Sequence, residues 1–461
     1  MKNALLFLAS LIFSLLFYQQ YIGLNVVLFS ITAIAVLFIF NPKKFKEKET
    51  ILKASILIFT SVFVFMHHSL ISLIATIISF VVLVGTISNT NSSIYVKFLN
   101  GLYTTIVAVF SRYFERDKNS ESTSKKQKID YLYWLKIIGI PLVIVTVFVL
   151  LYRNINPIFN DIISTLDLSF INMSWLLFTG LGYYLFYNIS QPISIEPATE
   201  SDLQTDNILR KEDLKQEPEE KIKQENQLGV VLMISLNVLL LFLIITDFVY
   251  LKQQSYDVSS TELKSQLHQS VNALIVSIIL AMSIIVYFFR GNLNFFDRNK
   301  LLKNTTFIWI SLNIVIAFIT AYKNFTYITN YGITYKRIGV YVYLFLVITG
   351  LIFTFIKISS IKNIVFLFRK NMQVAFIVLV LATTINWDVF ITKYNLSSNH
   401  KSINYLLKLS NKNAFLLKEY SDNNNLSIDE KEKIDFRYNV YYERLKNNSW
   451  QEKVYQNFKN N

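Results

Sequence analysis

Long apolar runs alternate with short polar interruptions from the start of the chain to about residue 391. A hydrocarbon core about 30 Å thick takes about 20 helical residues to cross. Eleven runs approach that length: 3–18, 22–40, 51–66, 69–87, 137–152, 173–189, 228–250, 268–289, 305–322, 338–356 and 371–391. The pattern predicts an all-α, polytopic integral membrane protein of about eleven spans, followed by a small helical tail. Lys2 and the run Ala4 to Phe17 have the form of a signal peptide. No small-x-small cleavage site follows, and a second run begins at Ile22, so the stretch reads as a retained first span.

Basic residues crowd into alternate loops. Lys43, Lys44, Lys46, Lys48 and Lys53 occupy one, and Arg112, Arg116, Lys118, Lys125, Lys126, Lys128 and Lys136 the next. Arg290, Arg298, Lys300 and Lys303 form a third, and Lys357, Lys362, Arg369 and Lys370 a fourth. The intervening turns are poor in lysine and arginine: none at Gln19–Tyr21 or His67–His68, Arg153 alone in 153–172, and Lys252 and Lys264 in 251–267. The positive-inside rule places the basic set in the cytoplasm. The segment 94–111 is a doubtful twelfth span. If it crossed, one strongly basic loop would lie outside, so Ile94–Phe110, with Lys97, Asn100 and Gly101, is expected to lie in the interface as an amphipathic or re-entrant piece. The expected location is the bacterial cytoplasmic (inner) membrane, amino terminus inside and carboxyl terminus outside.

Residues 190–227 carry Pro192, Pro197 and Pro218 among many acidic residues and few aromatics, the composition of a disordered cytoplasmic linker. It divides an N-terminal module of six spans (1–189) from a C-terminal module of five (228–391). No internal repeat relates them. Within 153–172, Ile158, Phe159, Ile162, Ile163 and Leu166 recur at helical spacing after the Asn156-Pro157 turn, predicting an amphipathic helix on the outer surface. In the tail, 392–461, Ser427 and Glu430 form a capping box ahead of Ile434, Tyr438, Tyr441 and Leu445 on one helical face. A second stripe runs through Ile403, Leu406, Leu407 and Ser410. So few helices make no large core, and they are expected to pack on each other or on the membrane domain.

Composition narrows the function classes. Of 461 residues, 53% are hydrophobic and 16% charged, and the mean hydropathy is +0.39, which excludes an ordinary soluble domain. A net charge of +14 on a soluble protein would suggest nucleic acid. Here the excess sits in loops where insertion selects it, so the bilayer, not nucleic acid, is the expected partner. The absence of cysteine rules out disulfides, thiolate metal sites and a cysteine nucleophile. The phosphate loop, dinucleotide fingerprint, zinc-protease helix and nucleophile elbow are all missing. His67-His68 has no third ligand nearby in sequence, and Asn237, Asn272 and Asn313 read as helix–helix contacts.

The membrane topology gathers one set of ionisable residues on the outer face: Asp247, His268, Lys323, Arg337 with its neighbour Lys336, and Asp388. Charges near hydrocarbon are costly, so they pair or line a polar cavity. Asp247 has Lys323 or Arg337 as a prospective cation partner, and His268 is a residue type able to titrate near neutral pH. Structural pairing, a polar-ligand or lipid-headgroup pocket, and catalysis are three readings of the set. No residue is assigned a catalytic or metal-ligating role, and no cofactor is read. Gly332 is expected to permit a tight turn.

Several stretches carry a family resemblance: Leu267-His268-Gln269-Ser270-Val271-Asn272, Tyr331-Gly332-Ile333-Thr334-Tyr335-Lys336-Arg337, Trp387-Asp388, Lys393-Tyr394-Asn395-Leu396 and Asn156-Pro157-Ile158-Phe159. With them the chain resembles the bacterial multi-pass membrane family termed domain of unknown function 4173, and its relative 4153, over roughly residues 130–420. Ser265 and Gln266 stand where that family often has an acidic residue, and Lys323 where it tends to have arginine. The resemblance implies a multi-pass bacterial membrane protein and no assigned chemistry. Three classes follow: a non-enzymatic envelope component whose outer tail meets an envelope protein partner, a transporter or channel component using the polar cluster, and an intramembrane enzyme on lipid-linked substrates with His268 as base and Arg337 on a phosphate.

Overall fold

A computed structural model of the chain describes residues 2–120, 172–215, 217–253, 282–398 and 402–459, with scattered positions between 141 and 159 and at 277, 278 and 280. The described residues form helices and turns, with one isolated bridge between Ile208 and Lys362. In chain order the helices are α1 (Lys2–Phe17), α2 (Leu24–Phe40), α3 (Lys48–His67), α4 (Leu70–Ser88), α5 (Ile94–Ser120), α6 (Met173–Ser190), α7 (Glu196–Gln204) and α8 (Glu219–Gln253). After helical residues 282–288 come α9 (Lys300–Tyr331), α10 (Tyr335–Ser359), α11 (Ile364–Ala382) and α12 (Trp387–Ser397). The tail adds α13 (Ile403–Leu406), α14 (Ala414–Asn423), α15 (Ile428–Asn447) and α16 (Tyr455–Lys459).

Seven described helices are long and apolar enough to cross a membrane: α3, α4, the Ile94–Arg112 part of α5, α8, α9, α10 and α11; α1 and α2 are shorter apolar helices. The expected all-α membrane architecture is present. Most of the expected outer helix over 153–172 and of the span 137–152 lie outside the described residues. At Asn156 the side chain accepts from the amide of Ile158 at 2.9 Å, a turn of the kind Asn favours.

Polar residues set the helix starts. Ser69, Asn172, Thr334, Asn363 and Asn386 each accept a first-turn amide of α4, α6, α10, α11 and α12. The Asn363 cap corrects the expected last span. Instead of 371–391, the helix begins at Ile364, takes Arg369 and Lys370 into its first turns, and ends at Ala382. Charge at its basic end hid its start, because a hydropathy window discards residues that leave the bilayer while the backbone stays helical. Similarly, Lys323 does not close its span: α9 continues for eight residues to Tyr331.

Buried apolar side chains fall into separate clusters. Leu37, Leu57, Leu83 and Phe186 belong to one among the N-terminal helices, and Met233, Phe289, Trp309 and Leu351 to another among the C-terminal ones. Val82, Phe376 and Val380 join α4 to α11. The backbones of α4 and α5 touch: a Cβ at Gly85 would overlap the Lys97 carbonyl oxygen, and one at Gly101 that of Val81. This is the close approach that small residues permit between membrane helices.

Along α5, Lys97 donates to Glu49 at 2.6 Å, and the amide of Val109 donates to Asn188 Oδ1 at 2.8 Å. Glu49 opens α3, and Asn188 lies at the end of α6, where the Ser190 carbonyl accepts from Asn41 at 3.0 Å. Lys97 and Val109, about 18 Å apart on the helix, therefore both reach groups within or beside the Lys43–Lys53 loop.

The polar face of α5 is covered by the segment expected to be a disordered linker. Thr104 Oγ1 exchanges hydrogen bonds with the Ile193 main chain, Asn100 takes the Ile195 amide at 2.9 Å and donates to Thr199, and Asp202 accepts from Ser93 and Tyr95. Arg369 of α11 clamps Asp202 in an ion pair at 3.1 Å. Residues 193–204 thus form an ordered strap, with α7 as its helical part, and α8 begins at Glu219, well before residue 228. Composition misleads here because the partners that order the strap lie about a hundred residues away in the chain, or further.

Candidate functional site

The site expected on the outer face is built where α8 to α12 end and the tail folds back. α9 and α10 are joined by the turn Gly332–Thr334, and Gly332 has φ +77°, a left-handed conformation suited to glycine. The Asn395 side chain pairs with both main-chain groups of Ile333: its Oδ1 accepts from the amide at 2.7 Å and its Nδ2 donates to the carbonyl at 2.8 Å. A Cβ on Gly332 would strike Asn395 Oδ1. Arg337 donates back to the carbonyls of Tyr331, at 2.9 Å, and Gly332, and its guanidinium lies 4.0 Å from the Tyr327 ring centroid. Thr334 caps α10 through the amide of Arg337. Tyr331-Gly332-Ile333-Thr334 and Tyr394-Asn395, distant in sequence, thus form one interlocked turn.

The remaining expected residues do not converge on Arg337. Lys323 Nζ lies 2.7 Å from Asp247 Oδ1, pairing α9 with α8 about 12 Å before the end of α9. Of the two prospective cation partners of Asp247, Lys323 is the one engaged. Asp388, in the first turn of α12, is buried and accepts from Tyr335 at 2.8 Å and from Ser410, with Lys412 Nζ at 3.7 Å. His268 lies outside the described residues. What was expected as one cluster is, among the described residues, three separate constellations: a helix–helix ion pair, a guanidinium bound to a turn, and a carboxylate sealed by the tail.

The tail surrounds Asp388 with groups that sequence reasoning did not select. Arg437 of α15 donates to the carbonyls of Leu407, Leu409 and Ser410 and to Asn413 Oδ1, holding the turn that carries Ser410 and Lys412. Burial lowers the pKa of the Lys412 ammonium, with Asp388 pulling the other way, and burial likewise raises that of the Tyr405 hydroxyl. The capping box at Ser427–Glu430 is formed, and Ile434, Tyr441 and Leu445 face inward. Ile333, Ile391, Leu406, Leu417 and Ile434 share one apolar cluster, so the tail packs on the α9–α10 turn and on α12. Ser410 ends the stripe that begins at Ile403, Lys412 follows in a lysine- and asparagine-rich stretch, and nothing local marks either as a partner for Asp388.

Beyond α15 the chain crosses to the N-terminal helices. The amides of Leu24 and Asn25, at the start of α2, donate to the carbonyls of Lys453 and Gln451, both at 2.9 Å. The Tyr21 amide donates to the Glu452 carboxylate at 2.7 Å. A helix leaves its first amides without internal partners, and here the tail supplies them. Among the described residues, no group of three His, Asp or Glu side chains is placed to hold a metal ion.

A family described as a domain of unknown function, DUF4153, matches residues 4–420, nearly the whole chain. The chain belongs to the DUF4153 family. This corrects the expected family number, 4173, in favour of its relative, and extends the match from residue 130 back to residue 4. No curated protein and no solved structure matches the chain. The DUF4153 match ends at residue 420, inside α14, so α15 and the contacts of residues 449–458 with α1, α2 and α3 lie beyond it.

Proposed function

We propose that this DUF4153 protein is a non-enzymatic multi-pass component of the bacterial cytoplasmic membrane, in two modules, 1–189 and 228–391. The basic loops face the cytoplasm, α5 lies across that face without spanning, and the tail caps the outer face and meets an envelope partner. One observation supports a structural role above the others. Asp247 and Lys323 are engaged with each other, Arg337 with main-chain carbonyls, and Asp388 with Tyr335 and the tail. The orientation rests on the positive-inside rule.

Asp247→Asn, Arg337→Gln and Asp388→Asn test the role when folded protein in the membrane is measured beside complementation of a deletion strain. The structural reading expects abundance and complementation to fall together. Normal abundance with lost complementation would sink it. A reporter fused after residue 461 that is active only in the cytoplasm would overturn the orientation.

A second reading, a transport component, has one observation in its favour: the Asp247–Lys323 pair sits between two apolar helices, where ionisable residues are expensive. Asp247→Asn combined with Lys323→Gln removes both charges. A folded protein without function would favour transport, and a functional one would leave the pair a structural role.

A further inference from the structure

Between the α3–α4 turn and the tail lies an open recess of about 470 Å³. His68, Lys412 and Arg444 line it with Ser410 and Tyr441, and no carboxylate does. Asp388, the nearest acid to Lys412, stands at 3.7 Å and already accepts from Tyr335 and Ser410. Among the described residues Arg444 makes no salt bridge, and its guanidinium is positioned 4.5 Å from the Tyr21 ring centroid. The first turn of α4, whose dipole favours anions, opens on the same recess through Ser69 and Leu70.

His68 bears the mark of this positive field. Its pKa is pushed down to about 4, by burial first and then by Lys412 and Arg444, and its Nδ1 is buried without a hydrogen-bond partner. It also holds φ +48°, a left-handed conformation uncommon outside glycine and asparagine. The other wall is apolar: Val64 and Leu73 lie in two spanning helices, and Leu70 is 69% exposed at the head of one. An arginine with no salt bridge among the described residues, beside a lysine whose one acid is shared with Tyr335 and Ser410 and next to an apolar wall, suits a molecule with one anionic end and one greasy end.

The geometry points to this recess as a binding site for the phosphate group of an anionic, apolar-tailed molecule of the surrounding leaflet. Arg444 supplies a forked donor to the phosphate oxygens, Lys412 a second positive charge, and the chains lie along Leu70 and Leu73. The site is independent of the envelope-partner role proposed above.

Native mass spectrometry of the full chain, released from nanodiscs of phosphatidylcholine and phosphatidylglycerol, tests it. The wild type should retain one phosphatidylglycerol in preference to phosphatidylcholine. Arg444→Gln should weaken retention at least five-fold, Arg444→Lys should restore most of it, and Lys446→Gln, on the same helix but outside the recess, should leave it unchanged. Unchanged melting temperatures would show that the variants are folded. Equal retention in wild type and Arg444→Gln, or equal loss in Lys446→Gln, would overturn the site. Displacement of the lipid by sub-millimolar inorganic phosphate would overturn the lipid assignment in favour of a free phosphate.

Discussion

On the face carrying the basic loops, the strap 193–204 is held to α5 through side-chain hydrogen bonds and through the Asp202–Arg369 pair. On the opposite face, residues 402–459 hold together through two apolar clusters and reach α2 through main-chain bonds. The strap has little apolar surface to bury, so its order depends on a few polar groups being satisfied together. The cap spreads its stability over many apolar contacts, to which its polar anchors on α2 are an addition. Strap residues should therefore be individually less replaceable than cap residues of similar burial.

Asp202→Ala tests that contrast most severely. Five donor groups converge on its side chain, and Ser93, Tyr95 and Arg369 would lose a buried partner together. Removing one member of a buried ion pair costs about 3–5 kcal/mol, so a large fall in melting temperature in detergent is expected, with protease cleavage appearing within 193–215. Burial tends to raise the Asp202 carboxyl pKa, but the bonds from Ser93, Tyr95 and Arg369 outweigh it and hold the group below its usual range. Its stabilisation is therefore lost on acidification below the ordinary aspartate value.

Asn395→Ala comes next. It leaves the buried main-chain groups of Ile333 unpaired, at about 1–3 kcal/mol. Gly332→Ala in the same background should cost less than in the wild type, because the Asn395 oxygen is no longer in the way. Additive losses in a double-mutant cycle of thermal stability would break the interlock.

The pH profile comes third. In neutral detergent without anionic lipid, the unfolded chain takes up a proton at His68 near pH 6.5 that the folded chain refuses until about pH 4. Stability should fall as pH drops through that window, and His68→Asn should flatten the fall. Lys412, Arg444 and Tyr441 line the same recess as the ring. The smallest effect is expected at Arg210→Ala, which removes an exposed pair with Asp206 and should shift stability by less than about 0.5 kcal/mol.

Much of the helical body is legible from local pattern. Apolar windows find the spans, the Ser427–Glu430 box marks the start of α15, and Gly332 announces a tight turn. The candidate site is legible only in its parts. Asp247 and Lys323 pair as charge suggests, but Arg337 turns to carbonyls of its own turn, and Asp388 takes partners from the tail. Arg369, read as loop charge, is a helical residue that fixes the strap. A pairing preference depends on which groups a fold brings within about 3 Å, and spacing along a chain carries no such distance.

The sequence alone determined that this chain forms apolar helices, where most of them run, and which loops carry the charge, because hydrophobicity and capping act over a few residues. Tertiary structure decided that 193–204 is ordered, that the tail caps α2, and that His68, Lys412 and Arg444 share one recess. Those outcomes depend on buried polar groups finding partners up to several hundred residues away, and only the folded arrangement brings them together.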